Sequence, residues 1–489
     1  MFHQSVVQPD NTSIMFCNGP PGPFLFSAMN YYARFVWLFL SIAFFLSVHP
    51  EYFNFADFYN QKRLLQLVSI GISLPLLFSN CLRVYLRYIV KFYGGPLLVI
   101  SLFFLSGLIS VFLSERPMLA MQDWLHHMCL AIFVLSLVIA KKIDLKGMFT
   151  CLVLCSVSVG LYLFKFIFVY VIACLSRENL DVNVVLSGAV NRNFIAQYVA
   201  MFIPVFSCMA AQKIRACASL VYVFITTFLF FVLVSDVRGV LVSLPMVFFL
   251  ARIFFDGGKY LLKQFSLSLL IAMIIFILVS YFQNIENQLS EDLFTSTGRV
   301  FHWINALRLW EGSPIFGVGP GGYSYLVDTP ISHPHNIYLQ VLSEWGAMGL
   351  SLMLILFVLS IKKVKLQYKK WDSLQVGVFL ALVQGLLHAG VSGVLVMPLS
   401  QFVFCVLLGV YIGFVLDKDA SCREEGKEMK KSEFSIRRII LPVPIVLLVA
   451  SFFVVVYHNG TGIASSIDCI VKPGPRFWVD GGIMPGSCQ

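Results

Sequence analysis

Two histidines that flank a proline, His333 and His335, are the residues of this chain best suited to acid–base chemistry. Pro334 holds them in an extended segment, and Asn336 can cap a helix that begins near Ile337. A neutral histidine can accept a proton from a hydroxyl group near pH 7. A metal site needs three or four ligands, and no carboxylate or cysteine cluster accompanies these two histidines. The pattern favours activation of a hydroxyl group, although a simple hydrogen bond at a helix end explains either histidine taken alone.

Two arginines have positions suited to binding an anion. Arg238 lies in the sequence SDVRGV between two apolar segments, where an arginine usually faces a cavity or a partner. An ion pair with Asp236 that caps the turn explains it equally well. Arg299 falls in the first turn of a predicted amphipathic helix that Ser296 and Thr297 can cap, where the helix dipole already favours an anion. Guanidinium groups can hold a diphosphate through paired hydrogen bonds.

A glycine-rich stretch, GVGPGGY at residues 317–323, follows that amphipathic helix. Backbone N–H groups in such a turn can hold phosphate oxygens, although a plain tight turn explains the glycines about as well. Glu344 lies further on, one to two turns inside an apolar segment, where a carboxylate is costly unless it has a partner. We expect Glu344 to make a hydrogen bond between helices.

The composition requires these residues to be positioned by membrane helices. The chain has 489 residues, of which 58% are hydrophobic and 12% are charged, and its mean hydropathy is +0.84. The apolar runs are continuous over about 20 residues, which predicts helices and excludes a transmembrane β-barrel. The net charge of +10 indicates no nucleic-acid partner, because the lysines and arginines lie in short connectors between apolar runs. The partner that this composition implies is the lipid bilayer.

The apolar runs predict thirteen membrane spans. They lie near residues 31–48, 64–79, 96–113, 118–140, 148–175, 193–211, 216–235, 239–255, 265–283, 338–361, 374–390, 399–416 and 438–457. If every span crosses, the basic connectors all fall on one side, which the positive-inside rule makes cytoplasmic. The predicted fold is an all-α integral membrane protein with about 12–13 transmembrane helices.

This topology divides the chain into five predicted regions. They are a cytoplasmic N-terminal segment (1–30), a polytopic transmembrane domain (31–457), a periplasmic loop with short amphipathic helices that carries the catalytic residues (284–337), a cytoplasmic charged loop (417–437) and a periplasmic tail (458–489). Cys469 and Cys488 can form a disulfide if the tail faces an oxidising compartment.

The sequence resembles the O-antigen ligase/polymerase superfamily of bacterial polytopic glycosyltransferases. The resemblance rests on GRVFHWINALRLWEGSPIFGVGPGGY, on HPHNIYLQVLSEWGAMGL and on AVNRNFIAQYVAMFIP at residues 189–204. The ligase pattern of His, a polar residue, nine residues, Gly, two residues and a further Gly is met by His335, Asn336, Gly346 and Gly349. The extra last span and the external tail distinguish this chain from the usual twelve-span ligase.

The resemblance implies an enzyme of the bacterial inner membrane whose site faces the periplasm. Such enzymes move a glycan from undecaprenyl diphosphate to an acceptor, with inversion and without a metal or other cofactor. His335, Arg299 and Arg238 correspond by position to the functional residues of the ligases. Together with the glycine turn, this gives a set of candidate substrate-binding residues, namely His333, Asn336, Gly319, Gly321 and Tyr323.

Several activities remain open at this stage. A ligase passes the glycan to lipid A–core, and we favour it slightly over a polymerase, which passes the glycan to another lipid-linked repeat unit. A protein O-oligosaccharyltransferase usually has a larger external C-terminal domain. A polysaccharide transporter predicts paired broken helices and symmetry between halves, which the sequence lacks. The sequence identifies neither the sugar nor the acceptor.

Overall fold

A computed structural model describes residues 23–49, 58–176, 192–210, 215–283, 298–329, 331–367 and 371–424. About 87% of these residues are helical and none forms a strand, which confirms the predicted all-α class. The helices of the described part are α1 (Pro23–Val48), α2 (Phe58–Ser73), α3 (Asn80–Leu113), α4 (Pro117–Ile143), α5 (Leu145–Ser176), α6 (Arg192–Ala210), α7 (Arg215–Val234), α8 (Arg238–Phe254), α9 (Gly258–Gln283), α10 (Arg299–Gly312), α11 (Gly322–Leu326), α12 (Ile337–Gln367), α13 (Ser373–Ala389) and α14 (Pro398–Glu424).

Each of the first twelve predicted spans overlaps one of these helices, although the second, 64–79, continues past the end of α2 at Ser73. Several helices extend beyond the predicted spans, and the largest difference is at α3, which begins at Asn80 instead of near residue 96. For example, α1 begins at Pro23, within the segment predicted to precede the first span, and α14 continues to Glu424, into the predicted charged loop. The thirteenth span, the tail with Cys469 and Cys488, and residues 284–297 of the predicted periplasmic loop lie outside the described residues.

The helices are long and apolar enough for a membrane protein. In the described ranges, seven helices meet the length and hydropathy needed to cross a bilayer, and the segments Ser219–Val234 and Ser373–Ala389 are shorter apolar helices. The helices α9 and α12 direct much of their apolar surface outward: 22% and 17% of their most apolar windows are buried. An outward apolar surface of this kind is typical of a helix that faces lipid, where a helix can also satisfy its own backbone hydrogen bonds. The larger total of 12–13 crossings stays a prediction.

The centre of the bundle is built from α4, α6, α13 and α14. α13 packs along α6, and α14 packs along α4. Their facing side chains form one continuous apolar core, which includes Phe133, Val199, Ala381 and Val410. α12 and α3 pair at the edge of this core, and the short helices α10 and α11 both rest on α12. The predicted loop residues are therefore held against a transmembrane helix.

Candidate active site

The helix α12 is interrupted at Gly346, where the backbone adopts φ 69° and ψ −174°. Residues 314–319, which we call the docking segment, lie against this break and use the hydrogen-bonding groups that it leaves unpaired. Four backbone bonds join the two: Val318 N to Ser343 O at 3.0 Å, Gly319 N to Glu344 O at 3.0 Å, Ala347 N to Pro314 O at 2.9 Å and Met348 N to Ile315 O at 3.1 Å. Irregular backbone inside a membrane helix is stable only when a neighbour satisfies it in this way.

Glycine is required on both sides of this contact. Gly346 has a positive φ, and a Cβ atom there would overlap the carbonyl of Ile315. Gly317 also has a positive φ, and its Cβ would lie 2.6 Å from the Glu344 carbonyl oxygen. L side chains rarely adopt this backbone conformation. The Gly346 of the ligase-like sequence pattern therefore has a structural role, which is to let the docking segment approach α12.

Glu344 binds the glycine-rich turn. Its side chain is 1% exposed. One carboxylate oxygen accepts a hydrogen bond from the backbone N–H of Gly321 at 3.2 Å, and the other accepts one from Tyr323 at 3.3 Å. The turn at the start of α11 is thus one partner of the buried Glu344 carboxylate. These two N–H groups already donate to a carboxylate of the chain itself. Binding of substrate phosphate by Gly321 and Tyr323 stays a prediction, and it would require these N–H groups to leave Glu344. Gly319 likewise uses its N–H inside the chain.

Tyr323 connects this turn to a histidine that the sequence reasoning did not select. The Tyr323 hydroxyl and the His302 Nδ1 are 2.9 Å apart, and both side chains are buried. The His302 ring centre lies 6.1 Å from that of His335, and the His335 ring centre lies 4.4 Å from that of His333. His302 is three residues after Arg299 and so shares its helix face, which was the available signal. The structure therefore gathers three histidines in one place.

His335 occupies a strained backbone position. Its φ of 54° is in the left-handed region, which is uncommon for a residue with a side chain. Asn336 next to it caps α12 as predicted: its side-chain oxygen accepts hydrogen bonds from the N–H groups of Tyr338 at 3.0 Å and Leu339 at 3.1 Å. Burial, and then the positive charge of Arg299 and the neighbouring His302, lower the pKa of His335 to about 4. The imidazole is therefore neutral at pH 7.

Arg238 and Arg299, the two arginines predicted to bind an anion, influence each other electrostatically. Arg238 forms a bidentate salt bridge with Asp236, with Nε–Oδ1 at 3.0 Å and Nη2–Oδ2 at 2.9 Å. The ion pair that the sequence suggested is therefore present. Asp236 itself has a φ of 49°. Burial and the nearby Arg238 lower the pKa of Arg299, while Asp236 opposes this shift. Arg299 therefore interacts electrostatically with both Arg238 and His335.

The turn 390–397 between α13 and α14 forms one wall of this site. A Cβ atom at Gly393 would lie 2.5 Å from the His333 Nε2, and one at Gly239, beside Arg238, would lie 3.0 Å from the ring of His388. The turn is fixed from behind, because Gln197 donates to the Ser392 hydroxyl at 2.8 Å. His388, in the last turn of α13, is a second residue at the site that sequence reasoning missed. A histidine inside an apolar segment was the signal for it.

Gly319 and Gly321 let the loop that carries the docking segment pack closely on its second side, against α3 and α4. A Cβ atom at Gly319 would lie 2.6 Å from the Ser114 hydroxyl oxygen, and one at Gly321 would lie 3.6 Å from the Cβ of Asp123. The Ser114 hydroxyl is also 2.6 Å from that of Tyr325. The loop is thus held between α12 on one side and the connection of α3 and α4 on the other.

The matched family agrees with the sequence resemblance. The profile of the O-antigen ligase family matches residues 222–354, a stretch that contains Arg238, Arg299, His335 and Glu344. A comparison with curated proteins finds no match. The family match, the helical architecture and the long apolar helices together indicate a multi-pass membrane protein with an O-antigen ligase/polymerase-type role in glycan processing. The match over residues 222–354 supports assignment to the O-antigen ligase superfamily.

Proposed function

We propose that this protein is a glycosyltransferase that moves an undecaprenyl-diphosphate-linked glycan to lipid A–core at the periplasmic face of the bacterial inner membrane. The observation that carries the proposal is the placement of Arg299, beside the Arg238–Asp236 pair, next to a neutral His335. This arrangement combines an anion-binding group with a proton acceptor. The basic connectors on the opposite side of the predicted topology support a periplasmic site.

The arginines bind and stabilise the diphosphate. A guanidinium group presents two parallel N–H groups that match two phosphate oxygens. When the bond between the anomeric carbon and the diphosphate oxygen breaks, the electron pair stays on the diphosphate, and the arginines stabilise the added negative charge. Arg238 already holds the Asp236 carboxylate in this paired geometry, so its binding to a diphosphate requires exchange of one anion for another.

His335 activates the acceptor. Its unprotonated ring nitrogen accepts the proton of the acceptor hydroxyl as that oxygen attacks the anomeric carbon from the face opposite the diphosphate, which inverts the configuration. The low pKa makes the ring a weak base before the donor binds. A bound diphosphate places negative charge beside the arginines and raises the pKa of His335, so the ring becomes a stronger base in the complex. The reaction that we propose uses no metal.

The test is the lipopolysaccharide ladder of a strain that lacks this protein, complemented with the wild type or with variants. We expect core-only bands, with long polymer still linked to undecaprenyl diphosphate. His335→Ala should fail to restore the ladder although it inserts in the membrane normally. His127→Ala, which changes a histidine of α4 that pairs with Asp123 at 3.7 Å, is the matched control and should restore it.

Other ladders would redirect or overturn the proposal. Core carrying a single repeat unit would identify an O-antigen polymerase, the alternative that the same residues fit. An unchanged ladder would exclude lipid A–core as the acceptor. Full restoration by His335→Ala would contradict the base role of His335.

A further inference from the structure

Glu344 lies on a transmembrane helix, yet its carboxylate determines where the glycine-rich turn sits. It holds the N–H groups of Gly321 and Tyr323 from within α12, and Gln340 approaches the same carboxylate at 3.5 Å. The docking segment pairs with the backbone on both sides of Gly346, which fixes the same turn from its N-terminal end. The position of α11 is therefore set by α12 and not by the loop alone.

Tyr323 transmits that position to α10. Its side chain is completely buried within a small apolar cluster with Ala306 and Val327. Its hydroxyl contacts two atoms of His302, the ring Nδ1 at 2.9 Å and the backbone carbonyl at 3.4 Å. Both the ring and the main chain of His302 are thus tied to the turn that Glu344 holds.

His302 in turn contacts the proposed base. Its ring lies edge-on to His335, with an interplanar angle of 74°, and it shares α10 with Arg299. A displacement of His302 would therefore disturb both groups that the proposed reaction uses, the anion ligand and the proton acceptor.

We infer that Glu344, Tyr323 and His302 form a positioning chain that holds the His335 imidazole and Arg299 in their working geometry. This inference rests on the proposed function for its effect on catalysis. None of the three residues needs to contact the substrate in this role. A misplacement of about 1 Å in such a site can lower a rate by about 100-fold, so a buried hydroxyl remote from the reacting atoms is able to control transfer.

The experiment compares Tyr323→Phe with Tyr325→Phe in the purified full-length protein. Both substitutions remove one hydroxyl from α11, but the Tyr325 hydroxyl contacts Ser114 and not His302. The first measurement is the rate at which diethyl pyrocarbonate modifies His302 and His335, mapped by mass spectrometry. The second is the kinetics of glycan transfer with a lipid-linked donor. Glu344→Gln is a further variant, because an amide offers one accepting oxygen where the carboxylate offers two.

For Tyr323→Phe we expect a several-fold faster modification of His302 and His335, and a kcat lower by about 10–100-fold with little change in the KM of the donor. Tyr325→Phe removes a contact of the same loop with Ser114, so we expect a much smaller change than for Tyr323→Phe in both measurements. Equal modification rates and equal kcat in the two variants would overturn the inference. If the wild-type protein transfers no glycan, the proposed function fails, and the modification rates alone still decide whether the chain of contacts positions His335. Because Tyr323→Phe removes a single atom, the test does not depend on whether Glu344→Gln folds.

Discussion

Arg299 acts electrostatically on His335, and together with burial it keeps the His335 imidazole neutral, with a pKa of about 4. The same arginine has its own pKa lowered by burial and by Arg238. In the function that we propose, the ligand brings negative charge to this cation and neutral base. Binding of such a ligand would neutralise the positive charge of the arginines and would also raise the pKa of His335.

Arg299→Gln should raise the pKa of His335 from about 4 toward the ordinary value near 6.5. The positive charge of Arg299 disfavours the protonated ring, and glutamine removes that charge while burial remains. NMR titration of isotopically labelled histidine measures the pKa directly and needs no activity. Arg308→Gln, on the exposed face of α10, is the control and should leave the pKa unchanged. A pKa of His335 in Arg299→Gln that is no higher than in the wild type would show that Arg299 does not lower it.

This pKa also predicts how stability depends on pH. A histidine whose pKa is lowered by folding binds fewer protons in the folded than in the unfolded state. The free energy of unfolding should therefore fall as the pH falls from about 6.5 through about 4, where the folded form finally takes up its proton. In Arg299→Gln the pKa of His335 in the folded state is higher, so the pH range over which stability falls should begin at a higher lower limit.

Arg299→Lys should impair transfer severely although the charge is kept. A lysine places one compact ammonium group where a guanidinium group would bind two phosphate oxygens in parallel. We expect kcat/KM for the lipid-linked donor to fall by about 100-fold or more, which is the range for loss of one preorganised donor group. Arg308→Lys on the same helix is the matched control. Wild-type kinetics in Arg299→Lys would show that charge alone suffices at this position.

Asp236→Asn should increase the affinity for the donor. Asp236 holds Arg238 through three hydrogen bonds between 2.9 and 3.2 Å, and a diphosphate has to compete with it. Asparagine tolerates the left-handed backbone of this residue, so the turn should keep its shape. We expect a lower KM for the donor, measured by transfer kinetics at low salt. A higher KM would mean that Asp236 instead holds Arg238 in its productive orientation.

The helices, and some of their ends, could be predicted from the sequence because apolar runs and caps are local signals. Asn336 shows this clearly: an asparagine before an apolar run predicts a helix cap, and its side chain makes the two expected hydrogen bonds. The ion pair of Asp236 and Arg238 is equally local, since only Val237 separates the partners along the chain.

The contacts that assemble the site could not be predicted in the same way. Glu344 meets Tyr323 across 21 positions of the sequence, and the apolar run around it reads as one uninterrupted span. Neither hydropathy nor helical periodicity indicates that Gly346 interrupts α12 or that the docking segment fills the gap. His302 and His388 were missed for a related reason. The sequence offered a signal for each, but which helices become their neighbours is not contained in the periodicity of one helix.

Gly346→Ala should destabilise the protein. Alanine at a positive φ costs roughly 1–2 kcal/mol for the backbone conformation alone, and its Cβ would also overlap the Ile315 carbonyl of the docking segment. Thermal unfolding in detergent should show a lower midpoint, with loss of transfer. Gly312→Ala, where a Cβ atom meets nothing within 4 Å, should keep the wild-type midpoint. An unchanged midpoint in Gly346→Ala would contradict the close approach of the docking segment.

Gly393→Ala tests the wall of the site through His333. The new methyl group would lie 2.5 Å from the His333 Nε2, so the ring must move, and His335 is its neighbour at 4.4 Å between ring centres. We expect slower transfer in Gly393→Ala, whereas Gly257→Ala, with open space around it, should behave as the wild type.

A double-mutant cycle separates this steric effect from a general weakening of the turn. When His333 is already alanine, the methyl group at position 393 no longer displaces an imidazole, so adding Gly393→Ala should change transfer little. The coupling between the two substitutions should then lie between about 0.5 and 3 kcal/mol, the range found for residues in contact. Strictly additive effects would mean that Gly393→Ala acts on the turn 390–397 itself. In that case the loop that precedes α12 would position His333, and Gly393 would not help to align His333 with His335.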